Sequence, residues 1–170
     1  MSMRCFLAVD KPLNKTEYPY KNILPTITDS DMFYNGKILF SDKLTEAEQE
    51  ALGNIFQDFK VYAIRTDFQF SYDPKYKRQL SESFAKNALE ELRWLKQFAK
   101  RRLNSSDVFM VINLWLGKET PYNRIKTECI DVNDWELSEE NSFEFSYGTV
   151  YQFVDNSDEA IKRRKNILCK

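Results

Sequence analysis

Between Gln79 and Gly117 the apolar positions change period once, from helical to alternating. At about 100° per residue, Leu80, Phe84, Ala88, Leu92, Leu95, Ala99 and Leu103 share half of a helical wheel with Ala85, Leu89 and Phe98. Glu82, Lys86, Glu90, Arg93, Gln97 and Lys100 fill the other half, so the stretch reads as a long helix lying on a core. A helix over residues 79–103 measures about 37 Å at roughly 1.5 Å per residue, enough to cross a sheet. Lys100, Arg101 and Arg102 suit the negative end of its dipole, and Asn104-Ser105-Ser106 supplies a stop. Trp94 falls beyond the edge of the apolar arc, where either a loop covers it or it joins a contact surface.

The run from Asp107 to Gly117 is apolar on both alternating faces, with Val108, Met110, Ile112, Leu114 and Leu116 on one and Phe109, Val111 and Trp115 on the other. That pattern predicts an interior strand covered on both sides. Asn113 alone interrupts it. A buried amide without partners costs about 1–3 kcal/mol, so Asn113 is read as tied into a neighbouring loop or strand in preference to a catalytic role.

Arg4 to Asp10 predicts a first strand, and residues 36–40 a short second one. The long connection over residues 11–35, with Pro12, Pro19 and Pro25, is either packed down or functional. A helix over Thr45 to Phe56 has Thr45 and Glu48 at capping-box spacing, with Leu44 ahead of them. Phe59 to Tyr72 alternates as one strand, Arg124 to Trp135 and Phe143 to Val154 as two more, and a short helix follows Asn156-Ser157. The expected fold is α+β: a single domain over residues 1–170, with a mixed sheet of about five strands whose C-terminal half is an antiparallel meander. The sheet packs against the long central helix and two shorter helices.

Composition narrows the chemistry. A chain of 170 residues, 42% hydrophobic and 15% aromatic, is large enough for one real core. No apolar run is long enough for a membrane span and no leader-like segment is present, which predicts a cytoplasmic protein. Three widely spaced cysteines, Cys5, Cys129 and Cys169, read as reduced thiols. Histidine is absent, which removes Ser-His and Cys-His pairs and every histidine-containing metal site. The four glycines, Gly36, Gly53, Gly117 and Gly148, are too scattered to cradle a phosphate.

The densest feature that remains is acidic. Glu128, Asp131, Asp134, Glu136, Glu139 and Glu140 cluster around Trp135. Trp135 is either a core residue or the aromatic anchor of an acidic contact surface. The leading expectation is a non-enzymatic protein-binding module, an inhibitor or immunity-type protein of bacterial or phage origin that masks a basic partner. Its contact residues would be Trp94, Asp131, Asp134, Trp135, Glu136, Glu139 and Glu140, with no catalytic residue, cofactor or metal. A second reading is a carboxylate enzyme using Asp131, Asp134 and Glu136, or Asp29 and Asp31, with Mg²⁺ as a candidate ion, although Asp131 and Asp134 would point to opposite faces of a regular strand.

Lys75, Lys77 and Arg78 precede the long helix, oppose its dipole and so invite an anion. With Lys162 to Lys165 they form a third reading, nucleic-acid binding, against which the net charge of -1 counts. The oligomeric state is left open.

Overall fold

In a computed structural model, described over residues 3–13, 38–53, 55–104, 108–115 and 125–162, the chain forms an α+β fold around a mixed sheet of six strands. The elements are β1 (Met3–Val9), β2 (Ile38–Ser41), α1 (Glu46–Gly53), β3 (Lys60–Thr66), α2 (Tyr76–Gln79), α3 (Glu82–Leu103), β4 (Phe109–Trp115), β5 (Lys126–Asp131) and β6 (Thr149–Val154). Residues 158–162 are helical again. The strand order is β2-β3-β1-β4-β6-β5.

Strand alternation divides the core in two. Cys5, Leu7 and Val9 of β1, Phe109 and Val111 of β4, and Tyr151 and Phe153 of β6 face α3, where they meet Leu92, Leu95 and Phe98. Phe6 and Ala8, Met110, Ile112 and Leu114, and Val150 form the other face, together with Leu52 of α1 and Phe56 beyond it. Full burial stabilises each large apolar side chain by about 1.5–3 kcal/mol. This packing, more than intrinsic propensity, holds α3 as a helix.

Two features of the expected sheet are corrected. Among the described residues it has six strands rather than about five, and its C-terminal half is no antiparallel meander, because β5 runs parallel to β6. β6 pairs antiparallel with β4 and separates it from β5. The physical reason is composition: β6 is mostly buried and takes the interior position, whereas β5 is exposed over its first four residues and takes the edge. A parallel return needs a long crossover, and residues 132–148 supply it.

Boundaries shift for identifiable reasons. The long helix starts at Glu82 rather than Gln79, since Ser81 caps it by accepting from the Phe84 N–H at 3.0 Å. Leu80, expected on the apolar face, lies in the break between α2 and α3 and is 58% exposed. β3 ends at Thr66, short of Tyr72, because Gln69 and Phe70 take left-handed conformations (φ 55° and 52°). The capping box is present: the Thr45 N–H donates to Glu48 Oε2 at 2.8 Å and the Glu48 N–H to Thr45 Oγ1 at 3.3 Å.

Asn113 is 2% exposed and ties down the crossover. Its Nδ2 donates to the Phe145 carbonyl at 3.3 Å, and its own carbonyl accepts from the Gly148 N–H at 2.9 Å. Gly148 enters β6 with φ +68°, a conformation open to glycine at little cost. The long connection with Asp29 and Asp31, the basic residues 163–165 and Cys169 lie outside the described residues.

Candidate protein-binding surface

The crossover from β5 to β6 turns its aromatic side chains inward and its acids outward. Trp135 is 8% exposed, with ring centroids 4.9 Å from Phe143, 5.5 Å from Phe153 and 6.3 Å from Phe145. The structure therefore makes Trp135 a core residue, not the exposed anchor of a contact surface. A dense aromatic cluster on the α3 side needs such a filler, and the adjacent Asp134 and Glu136 are exposed.

Polar contacts brace the same segment. Lys96 Nζ of α3 donates to the Trp135 carbonyl at 2.6 Å. The Tyr72 hydroxyl donates to the Glu139 carbonyl at 2.9 Å, and Tyr72 and Phe143 exchange backbone hydrogen bonds of 2.9 and 2.8 Å. Lys77 forms an ion pair with Glu139. The hydrogen bond between them raises the Lys77 pKa and lowers that of Glu139, but both groups are exposed, so the pair adds little stability.

Of the expected contact residues, Asp134, Glu136, Glu139 and Glu140 are exposed. Asp131 is half-buried and engaged in the turn that ends β5, where its Oδ1 accepts from the N–H and Nδ2 of Asn133, both at 3.0 Å. Trp94 is not brought to this surface. It is half-buried, stacked 4.9 Å from Phe98 and tilted against Phe40 of β2 at 6.1 Å, toward the sheet edge opposite β5.

Lys75, Lys77 and Arg78 are exposed, but they belong to the short α2 turn and its approach, not to the start of the long helix. That start carries Ser81 as cap and Glu82 in the first turn, which already complement the dipole. Lys77 is engaged by Glu139.

Asn133 Nδ2 also donates to Asp155 Oδ1 at 2.8 Å, and that oxygen accepts from the Ser157 N–H at 2.9 Å. Burial pushes the Asp155 carboxyl up, but hydrogen bonds from Asn133 and Ser157 and the charge of Lys100 outweigh it, so Asp155 titrates below its ordinary 3.8. A depressed folded pKa contributes stability that is present above the unfolded value and is lost as pH falls through the folded one. Urea unfolding from pH 6 down to about pH 2 is thus expected to show wild type losing its advantage over Asp155→Asn in the most acidic part of that range. A difference that stays constant with pH would contradict the assignment.

Sequence reasoning overlooked Glu91. It is fully buried, and its Oε1 and Oε2 accept from the N–H groups of Phe70 at 2.7 Å and Phe68 at 3.2 Å. This carboxylate holds the left-handed turn that delivers Tyr72 to Phe143. A signal was available, since Glu91 falls between Phe84 and Phe98 on the wheel, inside the apolar arc.

Cys5 lies on the same buried side. Burial, and next the charge of Glu91, push its thiol far above the ordinary range, so it is a protonated packing group. A cleft of about 530 Å³ between α1 and β3 is lined by Leu44, Leu52, Phe56 and Phe59, with Asp42 and Lys60 as its charged groups.

Among the described residues no group of three or more Cys, Asp or Glu is placed to hold a metal ion, and no helix is long and apolar enough to cross a membrane. No family model, curated protein or solved structure matches the chain.

Proposed function

We propose that the protein is a cytosolic, non-enzymatic binding module, an inhibitor or immunity-type protein of bacterial or phage origin, that masks a basic protein partner. One observation carries this reading: acidic side chains are concentrated along a braced crossover, which Lys77 of α2 and Lys96 of α3 contact from the helix side. Between Lys126 and Glu144 the chain has seven acidic side chains (Glu128, Asp131, Asp134, Glu136, Glu139, Glu140, Glu144) against Lys126 alone, a local balance of -6 in a chain whose total is -1. The buried aromatic side of the crossover fixes the backbone from which the acids project, so little loop ordering remains to oppose association. Such a field speeds encounter with a positive partner and rejects negative ones.

Asp134, Glu136 and Glu140 are the residues to test, because they are exposed and the turn after β5 is held by the Asp131 carboxylate and not by theirs. Immobilised protein is expected to retain a stoichiometric basic partner from host lysate, released by raised salt. The variant Asp134→Lys/Glu136→Lys/Glu140→Lys, with an unchanged melting temperature, is expected to lose at least tenfold in affinity, in keeping with close charge pairs of about 1 kcal/mol or more. Full retention by the folded variant would remove this surface from consideration.

A further inference from the structure

The sheet edge beside the acidic crossover has its own binding capacity. β5 is the terminal strand, paired on one side to β6 through a continuous parallel register from Lys126 to Asp131. The N–H groups of Lys126 and Val132 donate toward the β6 side, to Gly148 at 3.3 Å and Val154 at 2.9 Å. Strand alternation then turns the N–H and C=O groups of Thr127 and Cys129 away from the sheet. No strand among the described residues pairs with them, and both residues are exposed.

Of the usual protections of an edge strand, β5 has charge alone, in Lys126, Glu128 and Asp131. β5 contains no proline and its register has no bulge, whereas the opposite edge strand, β2, is buried at Ile38, Phe40 and Ser41. We propose that β5 accepts an extended, lysine- or arginine-bearing segment of a partner protein as a seventh strand. The main-chain groups of Thr127 and Cys129 would supply the pairing, and Glu128 with the acids of the crossover the charge selection. This rests on the acidic-surface reading and adds to it the conformation of the partner.

Charge decides between the occupants. A second copy of this chain would bring the same acidic edge against itself, with Glu128 and the 131–144 segment in like-charge opposition, which disfavours edge-to-edge pairing. An extended basic segment meets the same edge with opposite charge, and strand addition leaves the side chains of alternate residues free to contact the acids.

The test uses the intact chain and two short probe peptides at low salt. One alternates valine and lysine; the other has the same sequence with N-methyl groups at both valine and lysine positions, which keeps every charge and removes the pairing N–H groups. The unmodified peptide is expected to slow hydrogen exchange of the Thr127 and Cys129 amides and to bind about tenfold more tightly than the methylated one. Equal binding of both, with perturbation confined to the region of Asp134, Glu136 and Glu140, would overturn strand addition while leaving the acidic surface intact. Binding of neither would overturn both. Concentration-dependent protection of the two amides in the protein alone would assign the edge to a second copy and likewise overturn the proposal.

Discussion

Glu91→Ala is expected to destabilise the fold by about 3–6 kcal/mol, from two hydrogen bonds to a buried charged group at roughly 1.5–3 kcal/mol each. The carboxylate is fully buried and accepts from two backbone N–H groups, those of Phe68 and Phe70. Alanine would leave the buried Phe70 N–H without its acceptor and open a cavity under Gln69 and Phe70, whose left-handed conformations already cost energy. Glu91→Gln should fall between the two, because a carboxamide offers one acceptor oxygen and turns an NH₂ donor toward the second N–H.

The effect should also travel. Once the turn relaxes, Tyr72 is no longer delivered to Phe143, so the amides of Tyr72 and Phe143 should exchange faster even under conditions where the variant stays folded. Urea unfolding and amide exchange check the two parts separately. A loss below about 1 kcal/mol would mean that the clamp is dispensable.

The second large effect is expected at Trp135. Trp135→Ala should cost about 3–5 kcal/mol, as for other large aromatic truncations in cores. Its ring fills the space among Phe143, Phe145 and Phe153, and the chain on either side carries the acids. Trp135→Phe should cost much less, about 1–2 kcal/mol of lost contact. The indole Nε1 has no hydrogen-bond partner among the described residues, so phenylalanine removes a donor left unpaired there as well as volume.

Chemical denaturation separates the two variants. Binding separates the roles: the folded Trp135→Phe protein should keep its affinity for a basic partner, since the acids and their supports at Lys96 and Tyr72 remain. Loss of binding in a Trp135→Phe protein that is still folded would restore Trp135 to the contact surface.

Much of the local structure was legible because its causes are local. The period of apolar positions in α3, the two apolar faces of β4 and the Thr45–Glu48 capping box follow from residues a few positions apart. Asn113 was legible for the same kind of reason: an amide inside an apolar strand needs a partner, and the crossover at Phe145 supplies one. The end of β3 was not, because alternation continues through Phe68, Phe70 and Tyr72 while the chain itself turns. The force that turns it comes from Glu91, more than twenty residues later in the chain.

The sequence by itself determined that an amphipathic helix and a doubly apolar strand form the centre, that histidine chemistry is absent, and that acids concentrate around Trp135. Only the tertiary structure decided that β6 lies between β4 and β5, that Trp135 is core and Trp94 belongs to the other edge, and that no strand among the described residues pairs with the outer backbone groups of Thr127 and Cys129. The physical reason is that periodicity states which face of an element is buried. Which neighbour buries it, and which strand is left at the edge, depends on contacts between distant segments competing for the same apolar surface and the same backbone hydrogen bonds.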